Sequence, residues 1–516
     1  MSEFSPSGIR KVIAASSVGT LIEWYDFYIF GMLARTISTQ FFPEGNPTAA
    51  LLSTLAIFAA GFIVRPFGAL VFGRLGDLIG RKYTFLLTLI LMGGSTFLIG
   101  CVPGYESIGI AAPILVLLLR LVQGLALGGE YGGAATYVAE HSPAHKRGYY
   151  TSWIQTTATL GLFVALGVIM LVKMNMSDED FNAQWGGWRY PFWISILLVG
   201  VSIYIRMRMS ESPLFSKLKA EGKTSVNPLK ESFRKKDNFK MVLLALFGAV
   251  MGQGVIWYTG QFYAQSFLET KCNIEFEQSR TIMLWAIAFA TPFFLFFGWL
   301  SDKVGRKWIM MAGMLLGILT YRPIFNIFLE DSDMKKEMSV NTNHKQTDPT
   351  ITTSLIPGTT DSLLTIKSLI TLENGSSFTQ IIKDTVAPGN GRDINRASLG
   401  IIAGVHVDKH LSKAVYWKFI GLVFLLILYV TMVYGPIAAF LVEMFPTRIR
   451  YTSMSLPYHI GNGVFGGLVP FIGLLLTTSF PTDPLVGLWY PIAIAALCLF
   501  IGVIYLRNKI DKDVND

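Results

Sequence analysis

The sequence predicts an all-α membrane protein with twelve transmembrane helices arranged in two six-helix halves. Of its 516 residues, 52% are hydrophobic and only 15% are charged, whereas soluble globular proteins carry about 25% charged residues. Apolar runs of about 20 residues, the length that crosses a bilayer as a helix, occur twelve times along the chain. One loop sequence also occurs twice, at corresponding places in the two halves.

The apolar runs give the spans in order. They lie near residues 13–35, 51–73, 83–102, 110–133, 149–172, 190–208, 241–268, 281–300, 308–328, 416–441, 452–478 and 485–506. Lys and Arg concentrate in every second loop, and the positive-inside rule therefore predicts that both termini and the linker 209–240 are cytoplasmic. The domains that follow are a first half at 1–208, the linker, and a second half at 241–328 and 416–516. The net charge of +9 is explained by these loops and indicates no nucleic-acid partner.

The repeated loop reads GRLGDLIGRK at 73–82 and GWLSDKVGRK at 298–307. Glycines allow a tight turn, and each Asp can interact with the N-terminus of a neighbouring helix or with the Arg and Lys that follow it. Contacts of this kind can form in one conformation and break in another, although the loops could instead serve only topology and folding. The gating candidates are Gly73, Asp77, Gly80, Arg81, Gly298, Asp302, Gly305 and Arg306. A weaker echo relates Glu140, Pro143 and Arg147 to Glu443, Pro446 and Arg450.

These paired loops resemble the signature loop of the major facilitator superfamily. Within that superfamily, GTLIEWYDFYIFG at 19–31, FIVRPFGALVFG at 62–73 and RLVQGLALGGEYGGA at 120–134 are similar to the metabolite:proton symporter family. The resemblance implies a permease of the kind that carries 2-oxoglutarate, citrate, shikimate, proline or betaine. It also implies that Arg120, Gln123 and Gly124 take part in proton coupling, and that the two loops latch the halves in the outward-facing state.

Ionisable residues inside the membrane are expensive and usually functional, and nearly all of them lie in the first half. Glu23 and Asp26 share one face of the first span, and Arg120 lies at a similar depth in the fourth. An ion pair between them near the midplane would depend on protonation, so these three residues are the proton-coupling candidates. A permanent packing salt bridge between Glu23 and Arg120, or local hydrogen bonding by Asp26, are the alternatives. Arg65 could bind substrate or anchor a helix end.

The remaining candidates are mostly neutral. Glu130 stands among glycines that permit close helix approach and is expected to form an inner gate or a structural pair. In the second half, neutral donors and aromatic rings are expected to orient the substrate, with core packing as the alternative for each. Besides Arg65 and Arg120, the predicted substrate-binding residues are Gln123, Trp257, Tyr258, Gln261, His459 and Asn462.

Residues 329–415 interrupt the second half between the ninth and tenth spans. Alternating stretches at 350–356 and 363–372, punctuated by glycine-rich turns, predict a small strand-rich lobe outside the cytoplasm. An inserted surface domain without a role in transport, a lid over the outer mouth, and a site for an unknown partner are all compatible with this pattern.

The function predicted from these features is proton-coupled symport of a small organic acid, a carboxylate or dicarboxylate, by alternating access. Uptake of a zwitterionic compatible solute such as proline or betaine is the alternative within transport, and a transporter-derived sensor is the alternative outside it. No nucleophile triad, phosphate loop or metal cluster is evident, so the sequence does not predict an enzyme or a cofactor. The proton gradient is the expected energy source. A multi-pass protein of a bacterial inner membrane is the expected setting.

Overall fold

The structure is a computed structural model. It describes residues 6–43, 45–79, 81–129, 135, 138–139, 142–207, 234–340, 343–355, 362–386, 404–445 and 450–508. The side chains of residues 73–86 also lie outside that description.

Helices account for most of the described chain. In the first part they are α1 (Pro6–Met32), α2 (Ala34–Phe41), α3 (Pro47–Ile63), α4 (Arg65–Ile79), α5 (Arg81–Cys101), α6 (Tyr105–Ile108), α7 (Ala111–Leu127), α8 (Arg147–Lys173), α9 (Asp178–Asn182) and α10 (Tyr190–Met207). The later ones are α11 (Lys236–Ala245), α12 (Met251–Tyr258), α13 (Ala264–Thr270), α14 (Phe276–Val304), α15 (Arg306–Asp331), α16 (Met334–Val340), α17 (Lys413–Tyr434), α18 (Ile437–Met444), α19 (Arg450–His459), α20 (Val469–Ser479) and α21 (Trp489–Tyr505).

Three short π-helical segments interrupt the regular helices. They are Leu246–Val250, Thr259–Tyr263 and Ile460–Gly466. The first two flank α12 within the predicted seventh span, and the third follows α19 within the eleventh. π-Helical turns are rare and occur frequently at functional sites.

Eight helical segments in the described chain are long and apolar enough to cross a bilayer. Two shorter apolar helices, Leu87–Cys101 and Ala111–Leu127, coincide with the predicted third and fourth spans. Helices α1 and α10 coincide with the first and sixth. A multi-pass membrane protein is confirmed, and the number twelve stays a prediction.

By packing, the chain divides into two compact units. The first contains Met1–Tyr263, Ile287–Tyr321 and Phe424–Asp516, and the second contains Ala264–Ala286 and Arg322–Val423. All candidate site residues belong to the first unit.

The second unit contains an antiparallel sheet of five strands. They are β1 (His344–Gln346), β2 (Thr350–Leu355), β3 (Ser362–Leu372), β4 (Ser377–Val386) and β5 (Val405–His410). β3 pairs with β1, β2 and β4, and β4 pairs with β5. The two stretches predicted as strands fall on β2 and β3. Ile370, Leu372 and Phe378 bury their side chains against Met334 and Met338 of α16, which gives the sheet its own small core.

Strand β5 is fastened to the connection between α13 and α14. The backbone N–H of Lys409 donates to the Asn273 carbonyl at 2.9 Å, and that of Glu275 donates to the Lys409 carbonyl at 3.0 Å. Lys409 Nζ donates to the carbonyl of Ser332 at 2.8 Å. Burial lowers the pKa of Lys409. Asn273 and Asp408 are the non-glycine residues with positive φ in the described chain, at 54° and 48°.

Candidate substrate and proton site

Arg120 lies in the interior of the first unit, on α7. Helices α3 and α7 approach closely, because a Cβ on Gly124 would stand only 1.9 Å from the carbonyl oxygen of Gly61. The Arg120 side chain is fully buried and reaches α1, where NH1 donates to the Phe27 carbonyl at 3.1 Å. The guanidinium also lies 3.8 Å from the centre of the Phe27 ring.

Arg65 is a second buried cation beside the same ring. It begins α4, directly before Pro66, which has no backbone N–H to continue α3 and is tolerated in the first turn of a new helix. The guanidinium lies 4.2 Å from the centre of the Phe27 ring and 4.1 Å from that of Phe62. Two arginines that contact one aromatic ring repel each other, and the ring faces offset only part of that cost.

Neither arginine has its hydrogen-bonding capacity filled. Nε and NH2 of both Arg65 and Arg120 are buried without a hydrogen-bond partner in the described structure. A guanidinium offers five donors in a planar fork that matches a carboxylate. This arrangement can therefore bind an anion.

The predicted ion pair between Arg120 and Asp26 is wrong for this conformation. Both carboxyl oxygens of Asp26 are buried without a hydrogen-bond partner among the described residues. A Cβ on Gly93 would lie 3.3 Å from Asp26 Oδ2, so the carboxyl group faces α5. Ser195 of α10 interacts with it, although no hydrogen bond of ordinary geometry joins the two. Glu23, one turn earlier on α1, is also buried.

Gln123 connects the arginine to the helix that carries Asp26. Its Oε1 accepts a hydrogen bond from Arg120 NH1. Its Nε2 donates to the backbone carbonyl of Asp26 at 3.0 Å and to Thr96 Oγ1 at 2.6 Å. Gln123 therefore contacts α1 through the backbone carbonyl of Asp26 and not through its carboxyl group. No sequence signal singles out Thr96, because a threonine in an apolar span usually bonds only to its own helix.

A layer of aromatic rings from both halves of the sequence covers the arginines. Tyr28 of α1 stacks on Trp257 of α12, with ring centroids 5.3 Å apart. Phe58 of α3 lies 5.2 Å from Phe262, and Phe62 lies 5.0 Å from Tyr258. Sequence reasoning found the rings of the seventh span and missed those of the first two. The run IEWYDFYIF at 22–30 was the available signal.

The seventh and eleventh spans are joined by a reciprocal amide pair. Gln253 Nε2 donates to Asn462 Oδ1 at 3.0 Å, and Asn462 Nδ2 donates to Gln253 Oε1 at 2.9 Å. Close packing makes this possible, because a Cβ on Gly254 would lie 2.6 Å from the carbonyl oxygen of Gly461. Asn462 makes this packing contact in the structure, and its binding of substrate stays a prediction.

Other predicted ligands keep free hydrogen-bonding groups. Trp257 Nε1 and both amide atoms of Gln261 are buried without a partner among the described residues. His459 is also buried, and neither of its ring nitrogens makes a hydrogen bond of ordinary geometry in that part of the chain. These groups are available to a ligand between the halves.

The second repeated loop contacts the first half directly. Asp302 Oδ1 accepts a hydrogen bond from the backbone N–H of Gly148 at 2.8 Å, and Oδ2 accepts one from that of Tyr149 at 2.9 Å. These N–H groups are at the start of α8, so the carboxylate caps a helix N-terminus, where negative charge is favoured. This is one of the two contacts predicted for Asp302.

The other predicted contact is present as well, and it extends into a network. Arg306 donates to Asp302 at 2.7 Å and to Glu443 at 2.9 Å, and Arg147 pairs with Glu443 at 3.1 Å. Arg147 and Glu443 both belong to the weak sequence echo. We call Arg147, Asp302, Arg306 and Glu443 the ionic latch.

Two glycines of the second loop are required by the geometry. A Cβ on Gly298 would lie 2.4 Å from Ser152 Oγ on α8, and Gly305 has a φ of 96°, a conformation that other residues rarely adopt. In the first loop, the structure describes the backbone of Gly73, Asp77 and Arg81 but not their surroundings or side-chain contacts. Gly80 lies outside the described residues. Glu130 does too.

Near the C-terminal end of α1 the two halves meet through apolar side chains. Ala34, Leu55 and Leu474 form a buried cluster. The buried arginines thus lie in a bundle of membrane-length helices whose halves contact each other at an ionic end, an aromatic centre and an apolar end. An enclosed central site of this kind, in a bundle of membrane-length helices, is typical of a transport protein.

Comparison with known proteins agrees with this class. Residues 11–241 match the family model "Sugar (and other) transporter". The chain is 32% identical over 499 residues to the inner membrane metabolite transport protein YhjE of Escherichia coli, covering 96% of this chain and 94% of that protein. It therefore belongs to the major facilitator superfamily and, within it, to the metabolite:proton symporter family. It is a transporter and not an enzyme.

Two further relatives have named substrates. The proline/betaine transporter of Salmonella typhimurium is 34% identical over 322 residues, 60% of this chain and 62% of that protein. The alpha-ketoglutarate permease of E. coli is 36% identical over 313 residues, 60% of this chain and 70% of that protein. The crystal structure of a D-xylose-proton symporter shares the fold, with a TM-score of 0.62 at 15% identity, over 98% of this chain and 99% of that one.

Proposed function

We propose that the protein is a proton-coupled symporter of a small organic acid that works by alternating access. The observation that supports it most is the pair of buried guanidiniums, Arg65 and Arg120, that face no carboxylate partner among the described residues. An uncompensated buried charge costs on the order of several kcal/mol. An anionic substrate would remove that cost by binding between them.

Gln261 and Trp257 would complete the site from the second half. Both carry buried polar atoms without partners in the described structure, and both lie next to or within the π-helical turn Thr259–Tyr263. A substrate that bonds to them and to the arginines would draw the two halves together. Both Tyr258 and His459 would line the same space.

Proton coupling rests on the carboxyl groups of α1. The Asp26 carboxyl group is fully buried, and neither of its oxygens accepts a hydrogen bond in the described structure; a carboxylate in such a position is costly unless it takes up a proton. Glu23 is the second candidate. The ionic latch would close the cytoplasmic side while the outer side opens, with both termini in the cytoplasm of a bacterial cell.

Uptake into proteoliposomes tests this proposal. We expect radiolabelled 2-oxoglutarate, used as the organic-acid probe, to accumulate when the outside is made acidic. Arg65→Lys and Arg120→Lys should each weaken substrate affinity at least tenfold, because a lysine cannot present the bidentate fork. Arg189→Lys is the matched control, since Arg189 is equally buried but bonds to the backbone carbonyls of Gly100 and Val102. Equal loss in all three variants would contradict the anion site.

Proton coupling is tested separately by Asp26→Asn and Glu23→Gln. We expect one of them to exchange substrate across the membrane while failing to accumulate it against a gradient. Unchanged pH dependence in both would contradict the assignment of the proton to α1.

A zwitterionic solute is the second candidate, and a specific observation favours it. Trp24 stacks on Tyr28 with centroids 5.0 Å apart, and Tyr28 stacks on Trp257 at 5.3 Å. If this stack opened, its ring faces could contact a quaternary ammonium while an arginine holds the carboxylate. Competition of glycine betaine and proline against 2-oxoglutarate uptake separates the two candidates.

A further inference from the structure

The proton and anion groups of this site lie on different sides of α1. Arg120 approaches α1 from α7 and bonds to the Phe27 carbonyl at 3.1 Å. The carboxyl group of Asp26 instead faces α5, where a Cβ on Gly93 would lie 3.3 Å from Oδ2. Asp26 and Phe27 are consecutive and therefore about 100° apart around a helix of 3.6 residues per turn. A substrate held by the arginines is thus not in line with the Asp26 carboxyl.

The space around Asp26 is built by three helices of the first half. Tyr25 fixes α1 to the start of α10, because its hydroxyl donates to the Pro191 carbonyl at 2.8 Å. Ser195 follows Pro191 by one turn and has a fully buried hydroxyl without a hydrogen bond in the described structure. Glycine at position 93 leaves room for the carboxyl group, since a Cβ there would also lie 1.8 Å from Val199 Cγ2.

We propose that these residues form a proton pocket separate from the anion site, and that Ser195 is the positioning residue that bonds to the Asp26 carboxylate when its proton leaves. The proposal rests on the proton coupling proposed above and adds where the proton is held and by what. Ser195 interacts with the Asp26 carboxyl, but neither group makes a hydrogen bond of ordinary geometry among the described residues. A small rotation of either side chain would therefore give both buried groups a hydrogen-bond partner.

The charged and titratable groups around this pocket come from several helices. On α1 they are Glu23 and Tyr25, and from α7 Arg120 reaches the same helix one residue further on. Helix α5 contributes Gly93 and Thr96, and α10 contributes Ser195 and Val199, all of them neutral. Helix α8 packs on α1 through Gly161, against Leu21, Trp24 and Tyr25. Ser195 therefore offers a hydroxyl that can change the protonation equilibrium of Asp26 without any change to the arginines.

The matched control lies on the same helix. Ser202 is two turns from Ser195, and its hydroxyl is equally buried and equally without a partner in the described residues. Ser195→Ala and Ser202→Ala therefore remove the same group from similar surroundings. Only the first is next to Asp26.

Infrared difference spectroscopy measures the protonation of Asp26 in the absence of substrate. The carboxyl C=O band that disappears in Asp26→Asn is followed against pH in the purified full-length protein. In Ser195→Ala we expect the protonated band to persist to higher pH, with about a tenfold change in the protonation equilibrium, because the carboxylate loses its donor. Ser202→Ala should titrate as the unaltered protein does, and Ser195→Thr should restore the original titration.

Transport then separates this inference from the function proposed above. If the unaltered protein shows no pH-driven uptake of 2-oxoglutarate or betaine but the Asp26 band shifts as expected, the pocket stands and symport of these probes fails. If uptake is pH-driven but the band titrates identically in Ser195→Ala and Ser202→Ala, the positioning role of Ser195 is wrong. A band shift with an unchanged affinity for the transported probe at low pH supports separate proton and anion sites.

Discussion

The ionic latch allows a quantitative prediction for Asp302→Asn. In the structure, the two oxygens of Asp302 accept hydrogen bonds from the N–H groups of Gly148 and Tyr149, at 2.8 and 2.9 Å, and Oδ1 also faces Arg306 at 2.7 Å. An asparagine keeps one acceptor oxygen and loses the charge. The closed contact between the halves should therefore weaken while the fold stays intact.

The magnitude follows from the bonds that are lost. A hydrogen bond to a charged group contributes about 1.5–3 kcal/mol, and the substitution removes one such bond and weakens the other. Arg306 retains Glu443 at 2.9 Å, so its charge is not stranded. We expect the closed contact to lose about 2–3 kcal/mol, which corresponds to an increase of about 30- to 150-fold in the opening equilibrium.

Hydrogen exchange at the start of α8 measures this opening directly, because the Gly148 and Tyr149 amides are the groups that Asp302 protects. Their exchange should accelerate by the same factor in Asp302→Asn, while amides in the middle of α8 stay unchanged. Lys303→Ala is the control: Lys303 is the next residue in the loop, but its Nζ lies 4.0 Å over the Trp299 ring and outside the latch. Unaltered exchange at both amides in Asp302→Asn would refute this account of the latch.

Three further substitutions have expected outcomes. Gln253→Leu leaves the amide of Asn462 buried without its partner and should lower stability by about 1–3 kcal/mol, measured as a lower Tm in detergent against the unaltered protein. Lys409→Met removes the bond to Ser332 and should speed proteolysis within 344–410 while pH-driven uptake persists; slower cleavage would contradict the fastening. Gly305→Ala forces a side chain into a φ of 96° and should cost about 1–3 kcal/mol, whereas an unchanged Tm would show that the loop relaxes.

The sequence was sufficient for the features that depend on pattern. Apolar length predicted the helices, and repetition of GxLxDxxGRK suggested that Asp302 could meet either a helix N-terminus or the Arg and Lys that follow it. Both contacts are present. Even the weak echo was informative, since Arg147 and Glu443 come from its two copies and pair with each other at 3.1 Å. Repeated motifs carry such information because related halves place corresponding residues at corresponding depths.

Side-chain direction around a helix was not predictable to the same degree. Depth along the first span suggested that Asp26 would meet Arg120, but depth does not fix which neighbouring helix a residue faces. Two contacts decide it: Arg120 reaches the Phe27 carbonyl, and Gly93 opens a space for Asp26 on the other side. Both depend on the rotation of α1 within its bundle, which is a tertiary property with no local sequence signal.

The enclosed arrangement supplies a physical reason for the proposed coupling between proton and anion. With both ends of the central space closed, two guanidiniums without carboxylate partners and a carboxyl group without a donor are all removed from water. Closing around an empty, deprotonated site would bury three uncompensated charges, each at a cost of about several kcal/mol. An anion at Arg65 and Arg120 offsets the first two, and a proton on Asp26 offsets the third. In the proposed alternating-access cycle the enclosed state is crossed every time, so neither the anion nor the proton would cross cheaply without the other.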